Sequence, residues 1–334
     1  MATNDFLPFA VGSGANVLSQ SAYAALTAIS NGYSAGIAQS AALNKTWRQS
    51  SIMAAVLAQF ISDRTGSNAV DDGTTATLLA NLKAALPAAH GQCRLSVSST
   101  TTLLLSPYNG NSVIVNGIPL QLPTAGVTYT ASGLSASTKY YVYLGGTTAT
   151  PALSLSTTGY VTASNGVVVM NGDATKTLVG MVYTTASTQF VDAIATRFCL
   201  NWFNRRKIVA TNAIAGPFSF TNTASAELTS SARTQFLAWS DDVPIATWSS
   251  YGTETSGTPS ATTLNFQLYM DGSTPYGPGN GVVLQPSWNQ IVTQTGALGG
   301  LSEGYHYSTL LTNVGTNGGT LAVNNIQNTV NIFG

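Results

Sequence analysis

Residues able to do chemistry are sparse in this chain. It holds two histidines, His90 and His306, and two cysteines, Cys93 and Cys199, so acid-base, nucleophilic or metal-assisted reactions have few groups to draw on. His90 follows Pro87 at a change of texture and reads as a solvated linker residue. His306 lies between Tyr305 and Tyr307; on an alternating strand it faces away from both, which suits a satisfied structural or interface residue better than a catalytic one. The cysteines form neither a disulfide framework nor a C-x-x-C metal spacing and read as buried thiols. No G-x-S-x-G, P-loop, H-E-x-x-H or complete EF-hand pattern occurs, and Gly12-Ser13-Gly14 lacks the third glycine of a dinucleotide fingerprint. The acidic candidates of the second half are Glu227, Asp241, Asp242, Glu254, Asp271 and Glu303. Two carboxylates across a sugar bond suffice for glycoside hydrolysis, while Asp241-Asp242 alone falls well short of the ~6 to 8 oxygen ligands of calcium. The reading is a chain that is not an enzyme and that carries no cofactor and no metal.

Composition points the same way. Only 7% of the 334 residues are charged, 12 basic and 12 acidic, against about 25% in ordinary soluble domains. No charged residue occurs between Arg94 and Lys139 or from Gly304 to Gly334. Such surfaces suit contact between identical chains, because like charges repel around a symmetry axis and buried charge is costly to desolvate. Zero net charge argues against nucleic acid as a partner, since phosphate binding needs a basic patch; the one basic cluster is Arg205, Arg206 and Lys207. The longest apolar run, Ile52 to Ile61, is half of the ~20 residues that span a bilayer, so no membrane insertion is expected. Met1 to Leu7 lacks a basic start and contains Asp5, so the expectation is synthesis in the cytoplasm without a secretory signal.

The elements fall into regions. Residues 1–90 are Ala-rich and predict helices at Ser19 to Ser30, at Ser40 to Arg64, and after Asp71-Asp72-Gly73, the last carrying Leu78, Leu79, Leu82 and Leu86 up to Pro87. On the long helix Leu43, Trp47, Ala54, Leu57 and Ile61 form one apolar stripe, with Met53, Val56 and Phe60 beside it, a face wider than one neighbour requires. Residues 91–204 change to strand texture, with a hairpin predicted around Asn116-Gly117 and strands at 95–97, 138–144, 152–156, 166–170, 178–183 and 197–203. A linker is expected over 205–217. Strands follow in 218–334, at 218–222, 234–239, 263–270, 281–284, 305–314 and 320–323, with an exposed loop over Asp271 to Gly281. The fold class is mainly β with a helical N-terminal segment: two successive antiparallel β-sandwiches, the distal one open to a jelly-roll order. Aromatic residues are frequent distally. Trp239 and Tyr269 fall to the interior or an oligomer seam, while Tyr276, between Pro275 and Gly277, leads the surface candidates, followed by Tyr251 and Trp288.

Residues 1–86 resemble the N-terminal segment of bacteriophage tail-fibre proteins. The resemblance rests on Phe6-Leu7-Pro8-Phe9-Ala10, on Gly12 to Ser19, on Gly36 to Lys45, and on Trp47 to Ser51 with Ala54 to Phe60. It resumes at Phe198-Cys199-Leu200-Asn201-Trp202-Phe203-Asn204-Arg205-Arg206, similar to the segment before the distal domain of such proteins, and in texture from Glu303 to Gly334. It implies a homotrimeric fibre at the periphery of a virion. The N-terminal segment would attach to another tail or head protein, with Phe6, Leu7, Phe9, Trp47, Leu57 and Phe60 in anchoring or oligomer contact. The C-terminal domain would meet a host surface glycan or protein through Tyr251, Tyr276 and Trp288. No shaft separates the two sandwiches, so a head fibre, decoration protein or tail adaptor without receptor contact fits as well. A glycan-degrading tailspike is disfavoured by the lack of a β-helical repeat.

Overall fold

The computed structural model describes residues 2–85, 89–256, 262–276, 279–284, 288–315 and 319–334. The chain separates into two units, residues 1–88 and 89–334.

The first unit is built on the helix Ser40–Thr65, which ends where Gly66 turns left-handed (φ 68°) and returns its N–H to the Ser62 carbonyl. A second helix, Ala76–Ala85, packs against it; Leu86 and Pro87 lie outside the described residues. The extended N-terminal stretch runs beside the long helix. Asp5 N–H donates to Ala69 O, Ala69 N–H to Thr3 O, and the Asn4 amide to Ala55 O. The single helix expected at Ser19 to Ser30 is instead two short ones, Gln20–Ala24 and Ala28–Asn31. Neither buries a residue, and a dozen residues without tertiary burial are too few to hold one continuous helix. Among the described residues no helix is long and apolar enough to cross a membrane.

The second unit is mainly β, sandwich-like, with several sheets, and every described strand pair in it is antiparallel except Thr196–Arg197 against Gln235–Phe236. Strands Cys93–Ser99, Thr102–Pro107 and Val127–Thr130 form a small sheet, beside the hairpin Ser112–Val115/Ile118–Gln121. Asn116 and Gly117, at φ 51° and 73°, supply the two left-handed positions that a two-residue turn requires. A larger sheet is ordered around Pro151–Ser156, Lys139–Gly146 and Asp173–Ala186. The distal part stacks two further sheets. One contains Thr234–Ala238, Gly304–Val314 and Thr262–Met270. The other runs Lys207–Ile214, Leu321–Phe333, Ile245–Glu254, Gln290–Ala297.

The expected picture of two sandwiches joined by a linker needs correction at the linker. Residues 207–214 are a strand, paired antiparallel and residue for residue with residues 326–333, from Lys207↔Phe333 to Ile214↔Ile326. The two halves also share a sheet. Along Lys139–Gly146, Tyr140, Val142 and Leu144 enter one core with Cys93, Leu103 and Val113. Tyr141 and Tyr143 enter the other, with Phe236, Trp239 and Leu268. A strand buried on both faces loses the apolar-polar alternation of a half-exposed one, which is why Tyr140 to Leu144 reads as an unbroken apolar run.

The junction is made by the segment that carried the second part of the family resemblance. The Asn201 side chain donates to Leu95 O and accepts the Leu95 N–H, while its backbone carbonyl takes the Trp239 indole N–H at 3.1 Å. Asn204 donates to Gly91 O and Cys93 O, and Arg206 and Gly334 exchange backbone hydrogen bonds. We expect Asn201→Ala to strand the buried Leu95 amide and carbonyl and to lower unfolding stability by about 2 to 5 kcal/mol, measured by denaturant titration. A loss under about 0.5 kcal/mol would show that water replaces the side chain.

Candidate functional site

In the first unit the apolar face of the long helix is only half covered. Ala42, Ala58 and Ile61 are buried, but Trp47, Met53 (68% exposed), Val56, Leu57 and Phe60 are open. Met53, Val56, Leu57 and Phe60 recur at three- and four-residue intervals, the spacing of one helix face, and none of the four is charged; Asp63 and Arg64 follow Phe60 at the same spacing, in the last turn. Beside it an apolar groove of about 270 Å³ is lined by Phe6, Leu57, Ile61, Leu78, Leu79 and Leu82. Of the six residues expected in anchoring or oligomer contact, Phe6 is half-buried in this groove and Leu7, Phe9, Trp47, Leu57 and Phe60 are exposed. Phe9 meets Trp47 edge to face at 5.9 Å, with the Phe9 N–H on Ser51 Oγ. Ile29, Tyr33 and Ile37, outside that set, are exposed as well.

The three distal surface candidates do not come together. Tyr276 is 2% exposed and belongs to the core, which corrects its placement on an exposed loop. Gly277 and Pro278, the next residues of that loop, lie outside the described residues. The Tyr276 N–H donates to Leu268 O, and the Tyr276 hydroxyl bonds Ser308 Oγ at 2.6 Å. Ser308 in turn bonds Asn328, whose amide donates to Ala232 O and Ser308 O. The ring fills space between the sheets and the hydroxyl closes a buried polar network, although Pro275 and Gly277 flank it in the sequence. Burial pushes this phenol's pKa upward, against a smaller opposing effect of the Ser308 hydrogen bond. Tyr251 and Trp288 (66% exposed) are at the surface, at one end of the pair Ile245–Glu254/Gln290–Ala297. There Tyr251 lies opposite exposed Ile291, and Thr253 hydrogen-bonds Asn289.

The acidic candidates are taken up singly. Arg233 grips Glu227 through two bonds of 2.7 Å, and Thr309 adds a third; these outweigh burial and hold the carboxyl below its usual range. Asp241 receives a two-pronged contact from Arg205 at 2.7 and 2.9 Å, and the same guanidinium lies over the rings of Trp202 and Trp239. Asp242 accepts the N–H groups of Val243 and Phe333, and burial raises its pKa. Glu254 accepts from Ser256, and Asp271 pairs with His306. Glu303 receives the phenols of Tyr141 and Tyr160, the second at 2.7 Å. The result is a seam of aromatic rings and buried polar bonds. Tyr160 lies 5.5 Å from Tyr141 and 5.2 Å from Trp202, and Trp202 lies 5.1 Å from Trp239. Among the described residues no three of His, Cys, Asp and Glu converge as a metal site. Cys93 and Cys199 are free and buried; burial pushes the Cys93 thiol up to about 12 and raises that of Cys199 too. Residue types alone did not mark this seam, although Asn201 to Arg206, which supplies Trp202 and Arg205, stood out as a motif.

No protein-family model and no curated protein matches the chain. Among solved structures, it is similar to the C-terminal domain of EclA, a sugar-binding protein, at 16% identity over 42% of this chain and 81% of that one, with a TM-score of 0.23. It is also similar to a structure of infectious bursal disease virus Gx strain, at 14% identity over 73% and 75%, TM-score 0.29. A third is TmCBM61 in complex with β-1,4-galactotriose, at 10% identity over 37% and 87%, TM-score 0.20. Scores this low carry no inference from those proteins to this one.

Tyr276→Ala should act on folding rather than on any surface contact. We expect a loss of about 3 to 5 kcal/mol, from the cavity and the stranded Ser308 hydroxyl, visible as a lowered melting temperature. A variant as stable as the parent would place the ring outside the core.

Proposed function

We propose that this chain is a structural virion protein, an oligomeric bacteriophage tail fibre that attaches through its helical N-terminal unit and presents its β unit to the host surface. The observation that carries the reading is the apolar face of Met53, Val56, Leu57 and Phe60, exposed in the single chain and continuous with the groove beneath Phe6. Four large apolar side chains, 37% to 68% exposed, each forgo part of the about 1.5 to 3 kcal/mol that full burial gives. The occupant we assign is the same face of sister copies. Three- and four-residue spacing meshes with itself in a helical seam, and a stripe of uncharged side chains meets its own copy without repulsion. The sequence resemblance of residues 1–86 to tail-fibre anchoring segments supports the attachment role, and the low charge of the whole chain supports assembly.

Host contact in this reading falls to Tyr251 and Trp288, the exposed pair of the three aromatic candidates. Their rings offer flat apolar faces with a polar edge, which suit a glycan or a protein.

Sedimentation and native mass measurement of the purified chain should give a trimer, and Leu57→Asp should shift it to monomer, since a carboxylate would enter the seam unpaired. A parent chain that stays monomeric at high concentration would overturn the assembly. Immunogold labelling of intact particles should mark the tail; label on the head would exclude a tail fibre in favour of a head fibre or decoration protein.

A further inference from the structure

We propose that His306 is a protonation-dependent latch, holding the segment Leu298–Glu303 against the distal sheet and, through it, the seam with the sheet of Lys139–Gly146. This stands apart from the assembly described above. His306 is 3% exposed, on the core side of strand Gly304–Val314 and opposite Phe236. Its Nδ1 lies 2.7 Å from Asp271 Oδ2 and its Nε2 lies 2.6 Å from the Ser302 carbonyl oxygen. Both partners can only accept. A neutral imidazole carries one N–H and must turn a lone pair toward one of them; only the imidazolium, with a proton on each nitrogen, satisfies both.

The next residue connects this contact to the seam. Glu303 receives the phenols of Tyr141 and Tyr160 on its carboxylate, and Lys139 Nζ on its backbone carbonyl at 3.0 Å. Ser302 and Glu303 therefore form one short bridge, held by His306 at one residue and by the middle sheet at the other.

The other groups around the ring leave the assignment standing. The second oxygen of Asp271 accepts the Tyr307 N–H. Lys139 opposes the imidazolium charge from the middle sheet, and the Glu303 carboxylate is committed to the two phenols. Tyr305 and Tyr307 flank His306 on its own strand, with Tyr305 bonded to Gln235 and Tyr307 under Arg233, itself paired with Glu227. Strand Thr234–Ala238 brings no titratable side chain. Burial favours the neutral ring, but the Asp271 and Ser302 acceptors outweigh it, so the folded pKa lies above the ordinary 6.5. With the folded value raised, the stabilisation is complete below the unfolded pKa and is lost as pH rises through the folded one. His90 is the internal contrast. Its Nδ1 accepts the Ile114 N–H at 3.0 Å, which needs a lone pair, and burial lowers its pKa.

Two measurements on the full chain test the latch. Nuclear magnetic resonance of histidine-labelled protein should show the two imidazoles titrating on opposite sides of 6.5, with His306 assigned by its loss in His306→Gln. Hydrogen exchange of residues 298–304, normalised for intrinsic rates, should speed up about tenfold between about pH 5.5 and about pH 8.5 in the parent, the loss of one charge-assisted hydrogen bond. In His306→Gln it should not change with pH. The latch is overturned if His306 titrates at or below 6.5, if the parent segment shows no pH-dependent change, or if His306→Gln keeps the parent's change. Should that variant fail to fold, an Asp271→Asn comparison supplies the assignment, and the parent titration and exchange decide.

Discussion

The architecture of the β unit depends on a sheet that has no outer face. Strands Lys139–Gly146 and Asp173–Ala186 send Tyr140, Val142, Leu144, Val179 and Val182 to one side and Tyr141, Tyr143, Leu178 and Met181 to the other, and each side is the wall of a core. At about 1.5 to 3 kcal/mol per large buried side chain, the four residues on the distal side contribute on the order of 10 kcal/mol, comparable to the net stability of a whole domain. Pulling the two halves apart would expose that wall. They are therefore not beads on a string, and the arginine-rich stretch between them has to be a strand and a joint instead of a tether.

Polar groups at this joint specify position where apolar packing only supplies cohesion. Asn201 reads the backbone of Leu95 on both its donor and acceptor sides, and Trp239 reads the carbonyl of Asn201. Some of the ionic groups of the chain pair in this part of the molecule, as in Arg205 with Asp241, Arg233 with Glu227 and His306 with Asp271. The first unit exposes Asp5, Asp63, Arg64, Asp71, Asp72 and Lys83 and, beside them, the apolar helical surface of Met53, Val56, Leu57 and Phe60.

What could be read beforehand follows from where the signal was local. The long helix was legible because Gly66 closes it and apolar residues recur at helical spacing, and the hairpin because Asn116-Gly117 fixes its own turn. Mainly antiparallel β structure was legible from β-branched and aromatic runs such as Tyr140 to Leu144. Strand Ile245–Glu254 was not, because its inward residues are Ala246, Trp248, Ser250, Gly252 and Glu254, while Ile245 and Tyr251 point out; the usual alternation is inverted by its partners. Strand Lys207–Ile214 was hidden behind Arg205-Arg206, which look like solvated linker. For Tyr276 the neighbours in sequence described a loop, while its surroundings were decided by Ser308 and Asn328, far along the chain.

The order of strands in the last sheet has a consequence for how the protein is made. Leu321–Phe333 lies in the middle, hydrogen-bonded to Lys207–Ile214 on one edge and to Ile245–Glu254 on the other. A ribosome adding about 5 to 20 residues per second needs roughly 5 to 20 s to pass from Ile214 to Leu321. For that interval the central slot stands empty and the apolar side of Lys207–Ile214 has no lasting cover. Until the slot is filled, each growing chain presents an unfinished edge whose unpaired backbone groups are open to pairing with another chain.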